Sequence, residues 1–91
     1  MDMTQETQNN QPVAEVRDRD IRVAIWKNPT KDGTSYRFSA SLPERRYEVE
    51  GEWKTARSFN REEYLRIGHL CGKVVDRISE LYQELYDSNQ N

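Results

Sequence analysis

The chain has only one cysteine and no run of apolar residues long enough to span a membrane. A single cysteine cannot form an internal disulfide, and a fold of this size buries too little surface to be comfortably stable alone, so we expect copies of the chain to associate. Residues 1–12 show neither the basic start nor the apolar stretch of a secretory signal. These absences predict a cytoplasmic protein with no membrane partner.

The sequence also lacks any combination of residues typical of catalysis or metal binding. His69 and Cys71 are the only residues of their kinds, and side chains two positions apart on a helix point to different sides, so these two cannot share a ligand. No glycine-rich loop is present to cradle a phosphate, and the carboxylates around Glu50 have no histidine or lysine pocket beside them in the sequence. We therefore expect no enzymatic activity and no metal, cofactor or small-molecule substrate.

Charge of both signs is present but unevenly distributed. Residues 1–20 carry two basic and five acidic groups, a net charge of −3; residues 21–60 carry eight and five, net +3; and residues 61–91 carry four and six, net −2. The overall net charge of −2 therefore hides a basic middle segment. Such a segment is either a surface for an anionic polymer or the ordinary solvated face of a sheet.

Composition also suggests how the chain is divided. The first 20 residues contain almost no large apolar side chains, which predicts a disordered, acidic and polar tail over residues 1–20. We predict a single folded domain over residues 21–86 and a disordered C-terminus over residues 87–91. The role of the tail is left open.

The basic middle segment alternates between apolar and polar side chains with a period of two, as half-buried strands do. The predicted strands begin at Ile21, Tyr36, Arg45 and Trp53. Short stretches of Asn, Pro, Asp and Gly separate them, which is typical of tight turns. The predicted fold class is therefore α+β, a four-stranded antiparallel meander followed by one long C-terminal helix (ββββα).

The start of that helix is marked by a capping box. Asn60 can accept a hydrogen bond from the first helical turn, and Glu63 can reach back to the Asn60 amide. Phe59 and Tyr64 flank the pair as a hydrophobic staple. No proline interrupts the pattern that follows, so we predict a helix over residues 61–86.

Apolar side chains follow this helix at alternating spacings of three and four, the pattern of a helix that packs on another helix. After Tyr64 the first row contains the six residues predicted for a dimer interface: Ile67, Cys71, Val74, Ile78, Leu81 and Leu85. A second row contains Leu65, Leu70, Val75, Tyr82 and Tyr86. One row is expected to face the sheet and the other to form the seam of a homodimer, the alternative being a single broad core face.

Three short motifs accompany this order of strands and helix. They are the basic, β-branched strand at residues 22–27, the turn at residues 50–54, and the junction Ser58-Phe59-Asn60 before Tyr64. Together they resemble the single-stranded DNA-binding core of the positive-cofactor-four transcriptional coactivators, over residues 20–82, and the phrase Ile25-Trp26-Lys27-Asn28 is similar to small bacterial proteins of that fold. The resemblance implies a dimer joined by its helices, with curved sheets that bind unpaired strands.

Sequence-tolerant binding of a single strand needs cations along the phosphates and flat rings on which bases stack. The candidate contacts are the cations Arg22, Arg37, Arg46, Lys54 and Arg57 and the rings Trp26, Tyr47 and Trp53. Trp26 is expected to be exposed because it alternates with a buried aliphatic row, whereas Trp53 is as readily core as exposed. The predicted function is binding of single-stranded DNA or RNA by a homodimer with little sequence preference; the alternative is a dimeric protein-interaction module.

Overall fold

The computed structural model describes residues 11–90, with side-chain surroundings for residues 11–88. An antiparallel sheet is followed by one long helix, which confirms the predicted α+β class. The elements are β1 (Ala14–Asp18), β2 (Ile21–Pro29), β3 (Tyr36–Ala40), β4 (Glu44–Val49), β5 (Glu52–Ala56) and α1 (Arg61–Gln90). Across residues 11–90, no helix combines the length and the apolar character that crossing a bilayer requires.

The sheet has five strands where four were predicted, because β1 lies in the segment assigned to the tail. This strand pairs antiparallel with β2 along its whole length, from Ala14 opposite Ile25 to Asp18 opposite Ile21. Ala14 and Val16 alternate with Glu15 and Arg17, so the period of two is present but short. This strand was not predicted because the first 20 residues as a whole are polar. The first ten residues of the predicted tail lie outside the described part of the chain.

The ends of the other elements also differ from the prediction. The helix continues through residues 87–90, which were predicted to be disordered, and Asn91 lies outside the described residues. β2 continues through Pro29, where a turn was expected. Proline is tolerated there because β1 ends opposite Ile25, so among the described strands this end of β2 pairs with β3 alone and its other edge is unpaired.

β2 is the centre of the sheet. β1 occupies one of its edges, and β3 and β4 share the other: β3 pairs with residues 25–29 and β4 with residues 21 and 22. Ser41 stabilises the bend between β3 and β4 through two hydrogen bonds to Ala24 of β2. The Ser41 N–H donates to the Ala24 carbonyl (2.8 Å), and the Ser41 Oγ accepts from the Ala24 N–H (3.0 Å). β5 then pairs with β4 as the outermost strand.

The β4–β5 hairpin turns at Glu50 and Gly51, whose φ angles of 52° and 85° are both positive. A two-residue turn with two left-handed residues matches the right-handed twist of the strands, and glycine adopts that conformation without a steric penalty. α1 packs against β1, β2 and β3, whereas among the described residues it meets the β4–β5 hairpin through the Arg45–Glu63 ion pair at the start of β4 (3.3 Å). The hairpin therefore extends beyond the cover of the helix.

The core lies between β2 and the first half of α1. Ile21, Val23, Ile67 and Leu70 form its buried cluster, and Val16, Phe59 and Val74 pack around it. Ile21 and Ile25 are fully buried because β2 is flanked by strands on both edges and covered by the helix on one face. The predicted aliphatic row of this strand is thus confirmed as the buried one.

The N-terminus of α1 has the predicted capping box. The Asn60 N–H donates to Glu63 Oε1 at 2.9 Å, the Glu63 N–H donates to Asn60 Oδ1 at 2.8 Å, and Phe59 contacts Tyr64 edge-to-face with ring centres 6.0 Å apart. Arg66 in the next turn donates to the Asp20 carboxylate at 2.8 Å. Burial alone would raise the pKa of Asp20, but the hydrogen bond and positive charge of Arg66, aided by Arg45, outweigh it and lower the pKa.

Candidate nucleic-acid interface

The sheet has one face covered by α1 and one face that no element of residues 11–90 covers, which we call the open face. Alternation along the strands and their register assign the side chains to it. Its charged residues are Glu15, Arg17, Arg22, Arg37, Glu44, Arg46, Glu48 and Arg57. Its other residues include Ala24, Trp26, Asn28, Ser39, Trp53 and Thr55.

Six of the eight residues predicted to bind nucleic acid lie on the open face: Arg22, Trp26, Arg37, Arg46, Trp53 and Arg57. The other two, Tyr47 and Lys54, are cross-strand neighbours on the opposite side of the hairpin. They share that side with Arg45, whose Nε lies 3.3 Å from Glu63 Oε2 on the helix. Adjacent strand residues point to opposite faces, so Tyr47 and Lys54 cannot join the predicted surface.

Arg46 and Trp53 form a cation–π pair at the hairpin end of the open face. The guanidinium carbon of Arg46 lies 5.7 Å from the centre of the Trp53 ring. Trp53 is 63% exposed, so most of the ring remains accessible to a second flat group. A fixed ring beside a cation is the combination that sequence-tolerant binding of a base and its phosphate requires.

Trp26 occupies the other end of the open face and is half-buried, beside Ser39 across the strand pair. The expectation that Trp26 would be the more exposed tryptophan is therefore reversed, because β2 is flanked on both edges while the outer edge of β5 is unpaired among the described strands. Arg22 lies four residues from Trp26 along β2 and is opposite Glu44 of β4. Glu48 lies four residues farther in the same direction along β4 and is opposite Trp53. At about 3.3 Å per residue, the two indoles are separated by roughly 26 Å along the strands.

Between the two indoles lies a cluster of ion pairs. Arg22 Nη1 is 2.7 Å from Glu15 Oε2 and Arg22 Nη2 is 2.9 Å from Glu44 Oε2, while Arg57 Nη2 is 3.3 Å from Glu44 Oε1. The hydrogen bond to Glu44, aided by Glu15, raises the pKa of Arg22 above its ordinary value against the opposing effect of burial. Two of the predicted phosphate contacts are thus already neutralised by carboxylates of the same face.

The remaining cations of the open face are less engaged. Arg37 is exposed at the edge of β3 and forms no ion pair within the described residues, and Arg17, a position that the sequence prediction missed with β1, lies 3.8 Å from Glu15. Five arginines and three glutamates give this face a net charge of +2. Arg37 and Arg46, which form no ion pair within the described residues, lie toward the two ends of this face.

The helix rows are also placed by the structure. Of the six predicted interface residues, Ile67 and Leu81 are buried against the chain's own sheet, Val74, Ile78 and Leu85 are half-buried, and Cys71 is exposed. The exposed, uncharged side of α1 shares only Cys71 with that prediction, and we call it the tyrosine row: Tyr64, Gly68, Cys71, Val75, Ser79, Tyr82 and Tyr86. Most of the first row therefore supplies core contacts. The tyrosine row keeps much of its surface exposed, although Tyr64 and Tyr82 contact the rings of Phe59 and Phe38.

No set of three His, Cys, Asp or Glu side chains between residues 11 and 88 is arranged to hold a metal ion. Comparison with protein-family models, with curated proteins and with solved structures finds no match to this chain.

Proposed function

We propose that the chain binds single-stranded nucleic acid through the open face, with little sequence preference, and that it does so as a homodimer. DNA is the ligand to test first, and the proposal includes a cytoplasmic location and a role in transcription or replication. The observation that carries it is the Arg46–Trp53 pair, in which a largely exposed ring stands 5.7 Å from a guanidinium.

The shape of the open face supports a single strand over a duplex. A stacked duplex hides the faces of its bases, whereas an unpaired strand can place one base on Trp53 and another near Trp26 while its phosphates follow the arginines between them. The separation of roughly 26 Å between these rings, at about 3.3 Å per strand residue, is long enough for several nucleotides. Stacking on rings and charge contacts to phosphates do not depend on which base is present, so little sequence preference is expected.

The central ion pairs set the strength of binding. A phosphate that approaches Arg22 or Arg57 has to compete with Glu44, which lies within 3.3 Å of both guanidinium groups. We therefore expect moderate affinity at low salt and a modest loss of affinity as salt rises, because among the described residues Arg37 and Arg46 are the cations of this face without an ion pair.

Fluorescence anisotropy of labelled oligothymidine at several salt concentrations tests the proposal. Wild-type protein should bind with an affinity that falls as salt rises, and Arg46→Gln should reduce the slope of log affinity against log salt by about 0.7. Lys73→Gln, on an exposed helix position away from the open face, is the matched control and should leave the slope unchanged. Duplex DNA should compete poorly, and oligouridine in parallel compares RNA with DNA.

The alternative is a dimeric protein-interaction module, and the central ion pairs favour it, because arginines already paired with Glu15 and Glu44 are typical of an ordinary solvated face. The same titration separates the two functions. Absence of binding to every oligonucleotide at low salt, with the dimer intact, would leave the open face as a solvated surface and replace nucleic-acid binding by protein interaction.

A further inference from the structure

The tyrosine row has the same spacing when read from either end. Its seven positions, 64, 68, 71, 75, 79, 82 and 86, are separated by intervals of 4, 3, 4, 4, 3 and 4 residues. All seven side chains are exposed and none is charged, although charged residues make up 33% of the chain. A two-fold axis that passes beside Val75 can therefore pair each position of the row with a position of the same row in a second copy.

We propose that the tyrosine row docks on the tyrosine row of a second copy, with the two helices antiparallel and the two-fold axis at Val75. The inference rests on the homodimer of the proposed function and assigns its interface. Each position then meets the position that mirrors it about Val75: Tyr64 faces the partner's Tyr86, Gly68 faces the partner's Tyr82, and Cys71 faces the partner's Ser79. An isologous interface requires this reciprocity.

The sizes of the facing residues fit the antiparallel arrangement. A Cβ added at Gly68 or Gly72 would meet no atom of the described residues within 4 Å, so no contact in this part of the chain requires glycine at these positions. Glycine is the least favourable residue after proline in a helix interior. Antiparallel docking places the bulky ring of the partner's Tyr82 in the open space beside Gly68. Parallel docking would instead place Tyr82 against the partner's Tyr82 and Gly68 against the partner's Gly68.

Tyr82 is already held in place for such a contact. Its hydroxyl accepts a hydrogen bond from the Phe38 N–H at 3.0 Å, and its ring meets Phe38 edge-to-face with centres 4.8 Å apart. The ring still remains 40% exposed. A side chain fixed before association loses less conformational entropy on binding, and tyrosine is enriched in protein interfaces.

The surroundings of the row also lack a cover. An apolar groove of about 220 Å³ runs beside Cys71 and Val75, between α1 and the β3–β4 bend at Ala40 and Pro43. Val75 is 62% exposed and Tyr86 is 60% exposed, on a chain whose buried cluster contains only four residues within the described part. A second copy on the row would cover the edge of this groove and enlarge a small core.

Mixed cross-linking tests the register and the direction of the helices. A tagged Cys71→Ser/Ser79→Cys variant is mixed with wild-type protein, so that the only heterologous disulfide joins Cys71 of one chain to position 79 of the other. Mild oxidation should give this mixed dimer, and Cys71→Ser/Glu80→Cys, which moves the thiol one residue off the row, should not. Absence of the mixed disulfide in an intact dimer, or cross-linking of wild-type Cys71 to itself, would overturn the antiparallel register.

Gly68→Leu tests whether the open space beside Gly68 receives the partner's Tyr82. The variant fills space that is open in the single chain, so circular dichroism should show a folded helix while the dimer dissociation constant rises by roughly tenfold to a hundredfold. Asp76→Leu adds the same side chain off the row and should leave that constant unchanged. An unchanged constant for Gly68→Leu, or wild-type protein that sediments as a monomer at 100 micromolar or so, the range of weak but measurable association, would overturn the inference.

The oligonucleotide titration is measured separately on the same samples. Binding that persists with Arg46-dependent salt sensitivity, in the absence of the cross-link, would overturn this interface alone. Loss of oligonucleotide binding in a cross-linked dimer would instead overturn the nucleic-acid proposal and keep the interface.

Discussion

Arg22 on β2 and Glu44 on β4 are joined across the open face by two contacts to one oxygen, with Nη2 2.9 Å and Nε 3.0 Å from Oε2. The other oxygen of Glu44 lies 3.3 Å from Arg57. One carboxylate therefore restrains two of the five arginines on this face. Binding of an anionic polymer has to break or share these contacts.

Glu44→Gln should strengthen oligonucleotide binding, because it keeps the shape of the side chain while removing the charge that competes with phosphate. We expect the affinity at low salt to rise by roughly threefold to tenfold, and the salt slope to steepen as Arg22 and Arg57 become available. Glu48→Gln, on the same face but without an ion pair in the described chain, is the matched control. Equal effects of the two variants would show that only net charge matters and that the Arg22–Glu44 pair does not.

Trp53→Ala should weaken binding by about 1–3 kcal/mol per stacked base and leave the salt slope nearly intact. The ring is 63% exposed, so the midpoint of denaturation should change little. Trp26→Ala should lower stability as well as affinity, because the Trp26 ring is half-buried. A large loss of stability in Trp53→Ala without a loss of affinity would mean that Trp53 is a structural residue.

Asn60→Ala should lower the free energy of unfolding by about 1 kcal/mol through loss of the helix cap. The replaced carboxamide accepts the Glu63 N–H at 2.8 Å and lies at the start of α1, away from the open face. Urea denaturation measures the effect, and the oligonucleotide titration should be unchanged. Abolished binding with an unaltered denaturation midpoint would contradict a purely structural role for this residue.

Asp32 should titrate far below an ordinary carboxyl. Its Oδ1 accepts hydrogen bonds from the Thr30 hydroxyl (2.7 Å), the Thr34 N–H (3.1 Å) and the Thr34 hydroxyl (2.8 Å), and these lower the pKa of Asp32 to about 2. The folded pKa lies below the unfolded value, so this contribution to stability is present above pH 4 or so and is lost as the pH falls toward 2.

The difference in stability between wild-type protein and Asp32→Asn should therefore shrink across that acidic range. Carbon-13 NMR of the Asp32 carboxyl follows the titration directly. A midpoint near 4 would show that the Thr30–Thr34 loop does not hold these hydrogen bonds in solution.

Local signals in the sequence predicted the parts of the fold that depend on neighbouring residues. Asn60 and Glu63 are three residues apart and their hydrogen bonds need only the first helical turn, so the helix start was predicted correctly. The alternation in Ile21, Val23 and Ile25 likewise identified the buried face of β2. β1 was missed because five residues of alternation in a polar segment give a weak local signal, and its stability comes from pairing with β2.

The candidate site depended on contacts that sequence spacing does not reveal. Arg22 meets Glu44 across 22 positions of sequence, so its ion pair follows from strand register alone. Tyr47 and Lys54 were grouped with Arg46 and Trp53 by adjacency in sequence, although adjacency in a strand puts side chains on opposite faces. The choice between the two helix rows could not be made from their similar periodicities, because it depends on how the helix is rotated over the sheet.

The absence of helix cover over the β4–β5 hairpin has a consequence for hydrogen exchange. β2 is enclosed by three strands and a helix, so its amide hydrogens should exchange only when the whole domain unfolds, whereas those of β5 should exchange by local opening of the hairpin. A nucleic-acid strand that spans from Trp26 to Trp53 would contact both β2, whose amide hydrogens exchange slowly, and β5, whose amide hydrogens exchange rapidly. The largest gain in amide protection on binding is then expected in β5, which pairs with β4 alone among the described strands.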